Sequence, residues 1–344
     1  MALSCLVISR TPSLLNRMLA SLARARSSWQ TGDEVLCSWN GSTSDEQLIR
    51  ASHGPSPGGV PNFRIAQRQP YHFASNVNAL TRLARNQLVL LINDDVILDP
   101  LCLDRAIAVL QEHPEAGMVG GLLRTSDGRL GHAGLLLGAD YQPCNRCHPE
   151  LGPLIPLNNP VVLASGPIPA TTGALMLLHR SDLLAVPMRE SFAVCGEDVA
   201  LCLDFHQSLG KTAYYTSRVT AIHDEKSTRG STSDTADLQA VASLAEPLLR
   251  NNSNLITLQA HWLALESNWL ATLGLDQFKA AVSAERQRAQ QEAAFQQERE
   301  VLIGEREELR QRLLATWASH SWTITKPLRL LSRLARQLAN RSQP

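Results

Sequence analysis

Acidic residues at one point of the chain could bind a metal ion. Asn93-Asp94-Asp95 ends an unbroken apolar run that begins at Leu88 and ends at Ile92. Carboxylate oxygens are preferred ligands of hard divalent cations, and open α/β sheets bind ligands at the carboxyl ends of their strands. The cluster therefore predicts a metal site that carries a phosphate. The alternative is an acidic turn, since Asn and Asp are ordinary turn residues.

A second acidic pair and a histidine follow about a hundred residues later. Glu197 and Asp198 begin a predicted helix, and His223 ends an extended apolar segment. Aspartate with histidine suits Mn²⁺ or Mg²⁺ bound to a diphosphate, and another carboxylate can act as a general base. The structural alternatives are acids that stabilise a helix N-terminus and a histidine with a packing role.

The elements that would position these residues alternate between strands and helices. Residues 3–9 and 34–39 are typical of buried strands, and residues 13–25 have apolar side chains at helical spacing. This order is typical of a doubly wound sheet. The pattern predicts further helices at 74–86 and 101–112, and further extended segments at 63–66, 118–123, 173–179, 211–217 and 219–223. Residues 54–61 and 139–169 are predicted loops, and residues 224–237 a polar loop.

Composition narrows the class of protein. The 344 residues are 44% hydrophobic, with 32 basic and 32 acidic side chains, so the overall charge does not indicate a nucleic-acid partner. No stretch approaches the length of a membrane span, and the first ten residues lack the basic region of a signal peptide. The seven cysteines are scattered, mostly in apolar runs, which is typical of reduced, buried thiols. We therefore expect a cytoplasmic protein.

After residue 236 the predicted structure is helical. We predict a helical segment at 237–275, a long exposed helix at 276–315 and a basic amphipathic tail at 316–344. In the long helix Phe295, Leu302 and Leu309 recur every seven residues, but charged residues at the matching positions argue against a coiled coil. The oligomeric state is therefore open. The tail suits either the anionic inner face of the cytoplasmic membrane or packing against its own domain.

The order and spacing of several motifs resemble inverting nucleotide-sugar glycosyltransferases of family 2, which have the GT-A fold. The sequence is most similar to the rhamnosyltransferase-like branch, which builds bacterial cell-surface polysaccharides. The resemblance covers residues 3–232 and rests on segments 5–11, 39–43, 71–78, 91–95, 127–134, 172–174, 196–203 and 223–230. It implies an α/β domain over residues 1–236, with a Rossmann-like, mostly parallel sheet flanked by helices, and a C-terminal helical extension.

The resemblance also implies roles for particular residues. Asp95 would bind Mn²⁺ or Mg²⁺, with His223 as a second contact to the metal or the diphosphate. Asp198 would be the catalytic base, and Glu197 would orient the acceptor. The implied contacts to the donor are Ser9, Arg10 and Asn40 in the nucleotide pocket, Asn93 and Asp94 at the ribose and the metal hydration shell, and Gly173 beside the sugar. The implied partners are a nucleotide-sugar donor and a polysaccharide or lipid-linked glycan acceptor.

Two residues depart from the family pattern. Trp39 stands where the family has an acid that contacts the base, and Asn93 replaces the first aspartate of the metal motif. The alternative function is therefore a non-catalytic nucleotide- or glycan-binding protein with the same fold. A third interpretation makes the helical tail a scaffold for assembly or membrane attachment.

One cysteine motif needs its own interpretation. Cys144-Asn-Arg-Cys147-His148 has the spacing of a haem attachment site and of half a zinc site. Haem attachment would require export, and no second pair has zinc-ligand spacing. We expect an ordinary loop.

Overall fold

Alternating strands and helices form most of the unit at residues Met1–Val282. The computed structural model describes residues 1–52, 62–147, 155–223, 234–272, 275–318 and residue 325. The strands in these ranges are β1 (Leu3–Ser9), β2 (Glu34–Trp39), β3 (Phe63–Gln67), β4 (Leu88–Asn93), β5 (Val96–Leu98), β6 (Ala116–Arg124), β7 (Leu130–His132), β8 (Leu135–Leu137), β9 (Pro143–Asn145), β10 (Gly166–Ile168), β11 (Leu175–His179) and β12 (Thr212–His223). The helices are α1 (Pro12–Leu22), α2 (Thr43–Ser52), α3 (Phe73–Leu83), α4 (Cys102–Glu112), α5 (Pro160–Leu163), α6 (Arg180–Ala185), α7 (Glu197–Leu209), α8 (Thr235–Asn251), α9 (Ser253–Thr272) and α10 (Leu275–Ala318).

One mixed sheet organises this unit. Its strand order is β10-β12-β6-β11-β4-β1-β2-β3, with β5 beside β12 and β7 beside β6. Strands β1 to β4 are parallel, and β12 is parallel to β6. Strand β11 lies antiparallel between β4 and β6, so β6 and β12 run in the same direction as β1 to β4. The structure confirms the predicted α/β fold, a mostly parallel sheet with helices and a C-terminal helical extension.

Helices cover both faces of the central strands. Leu6 and Ile8 of β1 belong to one hydrophobic cluster, which includes buried residues of α3 and α7. Cys5 and Val7 belong to a second cluster, which includes buried residues of α1 and α4. Successive side chains of a strand point to opposite faces. A strand buried on both faces is therefore apolar throughout, as the runs at residues 3–9 and 88–92 predict.

Several elements differ from the sequence predictions. Helix α2 follows β2 in a stretch for which the sequence analysis predicted no element, and Ile49 is its single buried residue. The extended segments at 211–217 and 219–223 are one strand, β12, whose register with β6 shifts between Thr216 and Thr220. Within 139–169 the structure contains β9, α5 and β10. Residues 234–237 begin α8 instead of ending a loop. The predicted loop at 54–61 lies outside the described residues.

Helix α9 packs on the sheet domain through a buried cation. Arg146 is 2% exposed, and its guanidinium lies 4.1 Å from the ring centre of Trp262 and 4.9 Å from that of Tyr215. Its Nε atom lies 3.6 Å from Oε1 of Glu266. The Trp262 indole also donates to the Pro167 carbonyl at 2.8 Å. A buried guanidinium is stable only with such partners, so this cluster ties α9 to the domain.

The second unit, Ser283–Pro344, is described mainly by its part of α10. Phe295, Leu302 and Leu309 are 65%, 57% and 65% exposed in this helix. Among the described helices, none combines the length and the apolar composition that a membrane span requires. The predicted tail at 316–344 lies outside the described residues, apart from the end of α10 and residue 325. The four-part division of the chain stays a prediction.

His132 of β7 is buried beside two polar side chains. It is 3% exposed, and its ring nitrogens lie 3.3 Å from Asn145 Oδ1 and 3.3 Å from Thr171 Oγ1. Burial lowers the pKa of His132 from 6.5 to about 4; the hydrogen bond with Asn145 opposes this change, and the electrostatic effects of the nearby His223 and Arg146 side chains add to it. The folded protein therefore holds this imidazole neutral at pH values where an exposed histidine is protonated.

We expect Trp262→Ala to lower the free energy of unfolding by about 3–5 kcal/mol, because it removes a fully buried indole from the Arg146 cluster. Urea denaturation followed by circular dichroism measures this change. The matched control is Leu263→Ala, whose side chain is 45% exposed on the same helix. Its expected cost is within about 1 kcal/mol. Equal losses in the two variants would contradict this account of the packing.

We expect acid to destabilise the fold through His132. Between pH 6.5 and about 4 the unfolded chain binds a proton that the folded chain excludes, so stability present above pH 6.5 is lost as the pH falls. The loss amounts to about 3 kcal/mol for this shift. Free energies of unfolding across this range, measured without metal, should depend less on pH in His132→Gln than in wild type. The exposed His261→Gln is the control, and parallel curves for His132→Gln and wild type would refute the effect.

Candidate functional site

Parallel strands bring the predicted site residues to one edge of the sheet. Ser9, Asn93 and His223 are the last residues of β1, β4 and β12, and Asn40 directly follows β2. Strand β11 runs in the opposite direction, so its first end lies at the same edge, and Gly173 precedes it. Because carboxyl ends of parallel strands share one edge, residues far apart in sequence become neighbours there.

Ser9, Asn40 and Asp94 form one hydrogen-bonded group. Ser9 Oγ donates to Asp94 Oδ2 at 2.6 Å, and the Asn40 backbone amide donates to the Ser9 carbonyl at 2.8 Å. The Asn40 side-chain amide donates to the Gln69 carbonyl. These contacts join the loop after β2 to the end of β4. Arg10 follows Ser9 and is exposed.

Asp94 is a buried carboxyl group at the edge of the core. It is 8% exposed, and burial raises its pKa to about 6. The Ser9 hydrogen bond and the charge of Arg10 oppose this increase, whereas the neighbouring charge of Asp95 adds to it. The raised pKa means that the protein alone only partly compensates the carboxylate charge. A cation at this edge would complete the compensation.

Asp95 and His223 lie together across two paired strands. Asp95 Oδ1 is 3.4 Å from His223 Nε2, and the two side chains are 8% and 12% exposed. Strand β5 pairs with β12 so that Val96 is opposite His223. This pairing brings Asp95, the residue before Val96, close to His223 although the two are far apart in sequence. One carboxylate oxygen and one imidazole nitrogen at this spacing could bind the same ion.

The donor set fits a metal that also binds phosphate. Among the described residues, no group of three or more histidine, cysteine, aspartate or glutamate side chains is arranged to hold an ion. Mg²⁺ and similar ions commonly use one or two carboxylates and complete their coordination with water and substrate phosphates. Asp95 and His223 supply such a partial set, with Asp94 beside them.

Asp198 is held by backbone amides at the start of α7. Its Oδ2 accepts from Gly173 N at 2.8 Å, and its Oδ1 accepts from Val199 N at 2.8 Å. A Cβ atom on Gly173 would lie 3.2 Å from Asp198 Cβ and 3.4 Å from the Phe73 ring, so glycine permits this close approach. Both carboxylate oxygens are thus oriented while the side chain stays half-buried.

A backbone contact joins the Asp198 side of the edge to the acidic cluster. The Asn93 amide donates to the Ala174 carbonyl at 3.0 Å, and Ala174 adjoins Gly173. Glu197, half-buried, occupies the first turn of α7 beside Asp198. The structure therefore places the predicted site residues along one continuous edge from β2 to β12. Their chemical roles stay predictions.

Trp39 is a core residue. It is 0% exposed, lies in the same hydrophobic cluster as Ile49 of α2, and donates its indole N–H to the Ser42 carbonyl at 3.0 Å. The position that carries an acid in the family thus supplies no carboxylate to the nucleotide pocket. The sequence shows the substitution, but the burial of the indole depends on α2, which the sequence pattern did not predict.

Two residues near Asp198 were missed by sequence reasoning. Phe73 flanks Gly173, and the Asp237 carboxylate accepts hydrogen bonds from backbone amides of residues 193–195. Phe73 begins a helix whose apolar pattern only indicates core packing. Asp237 lies at a change from polar to helical sequence, where an aspartate resembles any other helix-start residue. Phe73 lies in segment 71–78, which carries part of the family resemblance, but no role was predicted for it, and Asp237 carried no distinguishing signal.

The cysteine motif has the contacts of a hairpin. Burial raises the pKa of Cys144 and raises that of Cys147 to about 11, so both thiols are protonated at neutral pH. Cys144 Sγ donates to the Leu136 carbonyl at 3.6 Å, across the β8–β9 pair. His148 lies outside the described residues. Cys144 thus lies in strand β9, where a loop was predicted, and its contacts are those of a hairpin.

Comparison with known proteins shows which family the N-terminal part of the sequence resembles. Residues 7–135 match the family model for glycosyl transferase family 2. The O-antigen biosynthesis protein RfbC of Myxococcus xanthus is 28% identical over 200 residues, which are 57% of this chain and 15% of that protein. The uncharacterized protein y4gI of Sinorhizobium fredii is 35% identical over 75 residues, 22% of this chain and 8% of that protein. The chain thus spans a small part of these relatives.

Solved structures share the fold. Residues 1–349 of TarS from S. aureus superpose with a TM-score of 0.50 at 15% identity, covering 78% of this chain and 71% of that one. GalNAc-T7, solved with UDP, GalNAc and Mn²⁺, gives a TM-score of 0.52 at 12% identity, covering 71% and 48%. At these identities the likeness concerns the fold alone. Together with the family model matched over residues 7–135 and the strand-end motifs, it shows that the chain has the GT-A fold and that its N-terminal segment is similar to glycosyl transferase family 2.

Proposed function

We propose that this chain is an inverting, metal-dependent glycosyltransferase that moves a sugar from a nucleotide-diphosphate donor to a hydroxyl of a glycan. The observation that carries the proposal is the Asp95–His223 pair at 3.4 Å beside the buried Asp94. The match of residues 7–135 to the family model for glycosyl transferase family 2 supports sugar transfer. The pair supports a diphosphate leaving group, because two protein ligands leave coordination positions for phosphate oxygens.

Asp95 and His223 would hold Mn²⁺ or Mg²⁺ in this proposal. When bound, the ion would neutralise negative charge on the departing diphosphate. The Mn²⁺ in the GalNAc-T7 structure supports the choice of ion only through the shared fold. Ser9 holds the Asp94 carboxylate by a hydrogen bond, so this side chain would add a further negative charge beside Asp95 when the ion is bound.

Asp198 would be the base that takes the proton from the acceptor hydroxyl. Each of its oxygens accepts one backbone N–H, which leaves a lone pair on each for the acceptor. One base on the face opposite the leaving group suffices for inversion, because the hydroxyl attacks the anomeric carbon in a single displacement. Glu197, its neighbour at the start of α7, would orient the acceptor.

The remaining strand-end residues would bind the donor. Ser9, Arg10 and Asn40 would line the nucleotide pocket, Asn93 and Asp94 would contact the ribose and the metal hydration shell, and Gly173 would lie beside the sugar. With Trp39 in the core, the nucleobase would be recognised without a carboxylate at the end of β2. Deoxythymidine-diphospho-rhamnose and uridine-diphospho sugars are the proposed donors.

The proposed acceptor is a growing polysaccharide or a lipid-linked glycan at the inner face of the cytoplasmic membrane. The name of the relative RfbC, an O-antigen biosynthesis protein, supports this class of product. The amphipathic pattern of residues 316–344 supports a peripheral contact with the membrane surface.

The second candidate function is binding without catalysis. The buried Trp39 favours it, because the family acid that contacts the base is missing. Calorimetry with UDP, GDP and dTDP, together with donor-turnover assays on the same samples, separates the two functions. Nucleotide binding without turnover across the donor panel would favour the binding protein.

We expect Asp198→Asn to lower the turnover of a nucleotide sugar with Mn²⁺ about 10²- to 10⁴-fold, because the amide cannot accept the proton. The assay follows release of the nucleoside diphosphate. Calorimetry should show that the variant binds the nucleoside diphosphate with the same affinity as wild type. Asp204→Asn makes the same change on the same helix at a carboxylate paired with Arg189. We expect it to retain wild-type turnover. Equal turnover in Asp198→Asn and wild type would remove Asp198 as the base.

We expect Asp95→Asn to weaken Mn²⁺ binding about tenfold or more, since contacts to charged groups contribute about 1.5–3 kcal/mol and each 1.4 kcal/mol is tenfold. Paramagnetic resonance of free Mn²⁺ measures this affinity directly. Chelation by EDTA should stop turnover in wild type. Asp127→Asn, in the exposed turn at residues 125–129, is the control. Wild-type Mn²⁺ affinity in Asp95→Asn would overturn the metal assignment.

A further inference from the structure

Asp237 on α8 binds the segment that leads into the Glu197–Asp198 pair. Its carboxylate accepts three backbone N–H groups, from Val194 at 2.6 Å, Ala193 at 3.0 Å and Cys195 at 3.1 Å. The residue is 8% exposed. Three consecutive amides converging on one carboxylate define the path of this segment far more closely than a single hydrogen bond would.

Helix α8 also contacts the last residue of this segment. Gly196 has a φ of +92°, a conformation that favours glycine, and it begins α7 as its N-cap. A Cβ atom there would lie 2.6 Å from Val241 Cγ2 and 3.3 Å from the Phe192 ring. The backbone at Gly196 is therefore packed closely between Val241 of α8 and the ring of Phe192. Asp198 is only two residues beyond.

The Asp237 carboxylate is ionised when it makes these contacts. Although burial opposes it, the amides of Val194, Cys195 and Ala193 hold the pKa of Asp237 below its ordinary value. A charged acceptor forms stronger hydrogen bonds than a neutral amide oxygen. The segment before Asp198 is thus anchored from a helix that lies beyond the predicted boundary of the sheet domain at residue 236.

We propose that Asp237 is a positioning residue for Asp198, which acts by holding residues 193–195 so that the carboxylate of Asp198 faces the sheet edge at Gly173. This inference rests on the proposed role of Asp198 as the base. Two anchors then determine the position of Asp198: the Gly173 amide on the sheet side and Asp237 on the side of the preceding segment. Loss of the second anchor lets the start of α7 shift while the nucleotide pocket is unchanged.

A double-mutant cycle tests this coupling. Asp237→Ala and Asp237→Asn are made in wild type and in Asp198→Asn, and the full chain is assayed with Mn²⁺ and the UDP-, GDP- or dTDP-sugar that wild type turns over fastest. Turnover is expressed per binding site, counted by calorimetry with the matching nucleoside diphosphate, so that misfolded protein does not enter the rate. Glu246→Gln, an exposed carboxylate on the same helix paired with Arg250, is the matched control.

We expect Asp237→Ala to lower turnover about 10- to 100-fold in wild type, as small displacements of catalytic groups do. Asp237→Asn should lose less, because its amide oxygen still accepts hydrogen bonds. The affinity for the nucleoside diphosphate should stay within about twofold, since the nucleotide contacts are elsewhere. In Asp198→Asn, the added Asp237→Ala should cost nothing further, because the group that it positions is already inactive.

Hydrogen exchange gives a readout that does not depend on activity. The amides of Val194 and Cys195 should exchange faster in Asp237→Ala than in wild type, and Glu246→Gln should leave them unchanged. Unchanged exchange at these amides would overturn the inference. Equal fold losses from Asp237→Ala in both backgrounds would also overturn it, because a general loss of structure is additive.

The failure of this inference differs from the failure of the proposed function. If Asp198→Asn lowers turnover and Asp237→Ala does not, only the positioning role is wrong. If Asp198→Asn has wild-type turnover, or no donor is turned over, the base assignment fails and the positioning role fails with it. Should Asp237→Ala not fold, Asp237→Asn gives the same comparison with a side chain of equal size.

Discussion

A buried negative charge at the edge of a hydrophobic sheet is the constraint on which this site depends. Strand β4 is apolar up to Asn93, its last residue, and Asp94 follows directly in a buried position. Burial raises the pKa of the Asp94 carboxyl to about 6. Ser9 stabilises the ionised form from the neighbouring strand, and Arg10 adds a positive charge. These contacts compensate the charge only in part. A cation at this edge would complete the compensation, which is the physical basis of the proposed site for a metal that carries a diphosphate.

The sheet makes this edge from residues that are distant in sequence. Antiparallel pairing of β5 with β12 brings His223 close to Asp95. Antiparallel pairing of β11 with β4 brings Gly173 close to Asn93, the last residue of β4. Residues of β4, β11 and β12 pack in the hydrophobic clusters on both faces of the sheet, and β5 packs in one of them. For the proposed sugar transfer such preorganisation would matter, since a base and a leaving-group site contribute most when their geometry exists before the substrate binds.

The helices after residue 236 belong to the same structural account. Val241, Ala245 and Trp262 are buried in the cluster that also contains residues of β6 and α7. Asp237 anchors the segment before Asp198, and the Arg146–Trp262 contact ties α9 to the domain. These helices therefore complete the packing of the side of the sheet on which α7 lies. The predicted division at residue 236, which rests on a change in composition, stays a prediction.

The sequence by itself determined the α/β fold and the strand-end positions of the acids. The apolar runs at residues 3–9 and 88–92 and the motif order identify strands buried on both faces, because local periodicity reports burial directly. It did not determine α2, the burial of Trp39 or the role of Asp237. Only the tertiary structure decided those, together with the pairing of Asp95 with His223. Each of these depends on strand order, register and helix packing across long sequence separations, and local patterns do not encode such contacts.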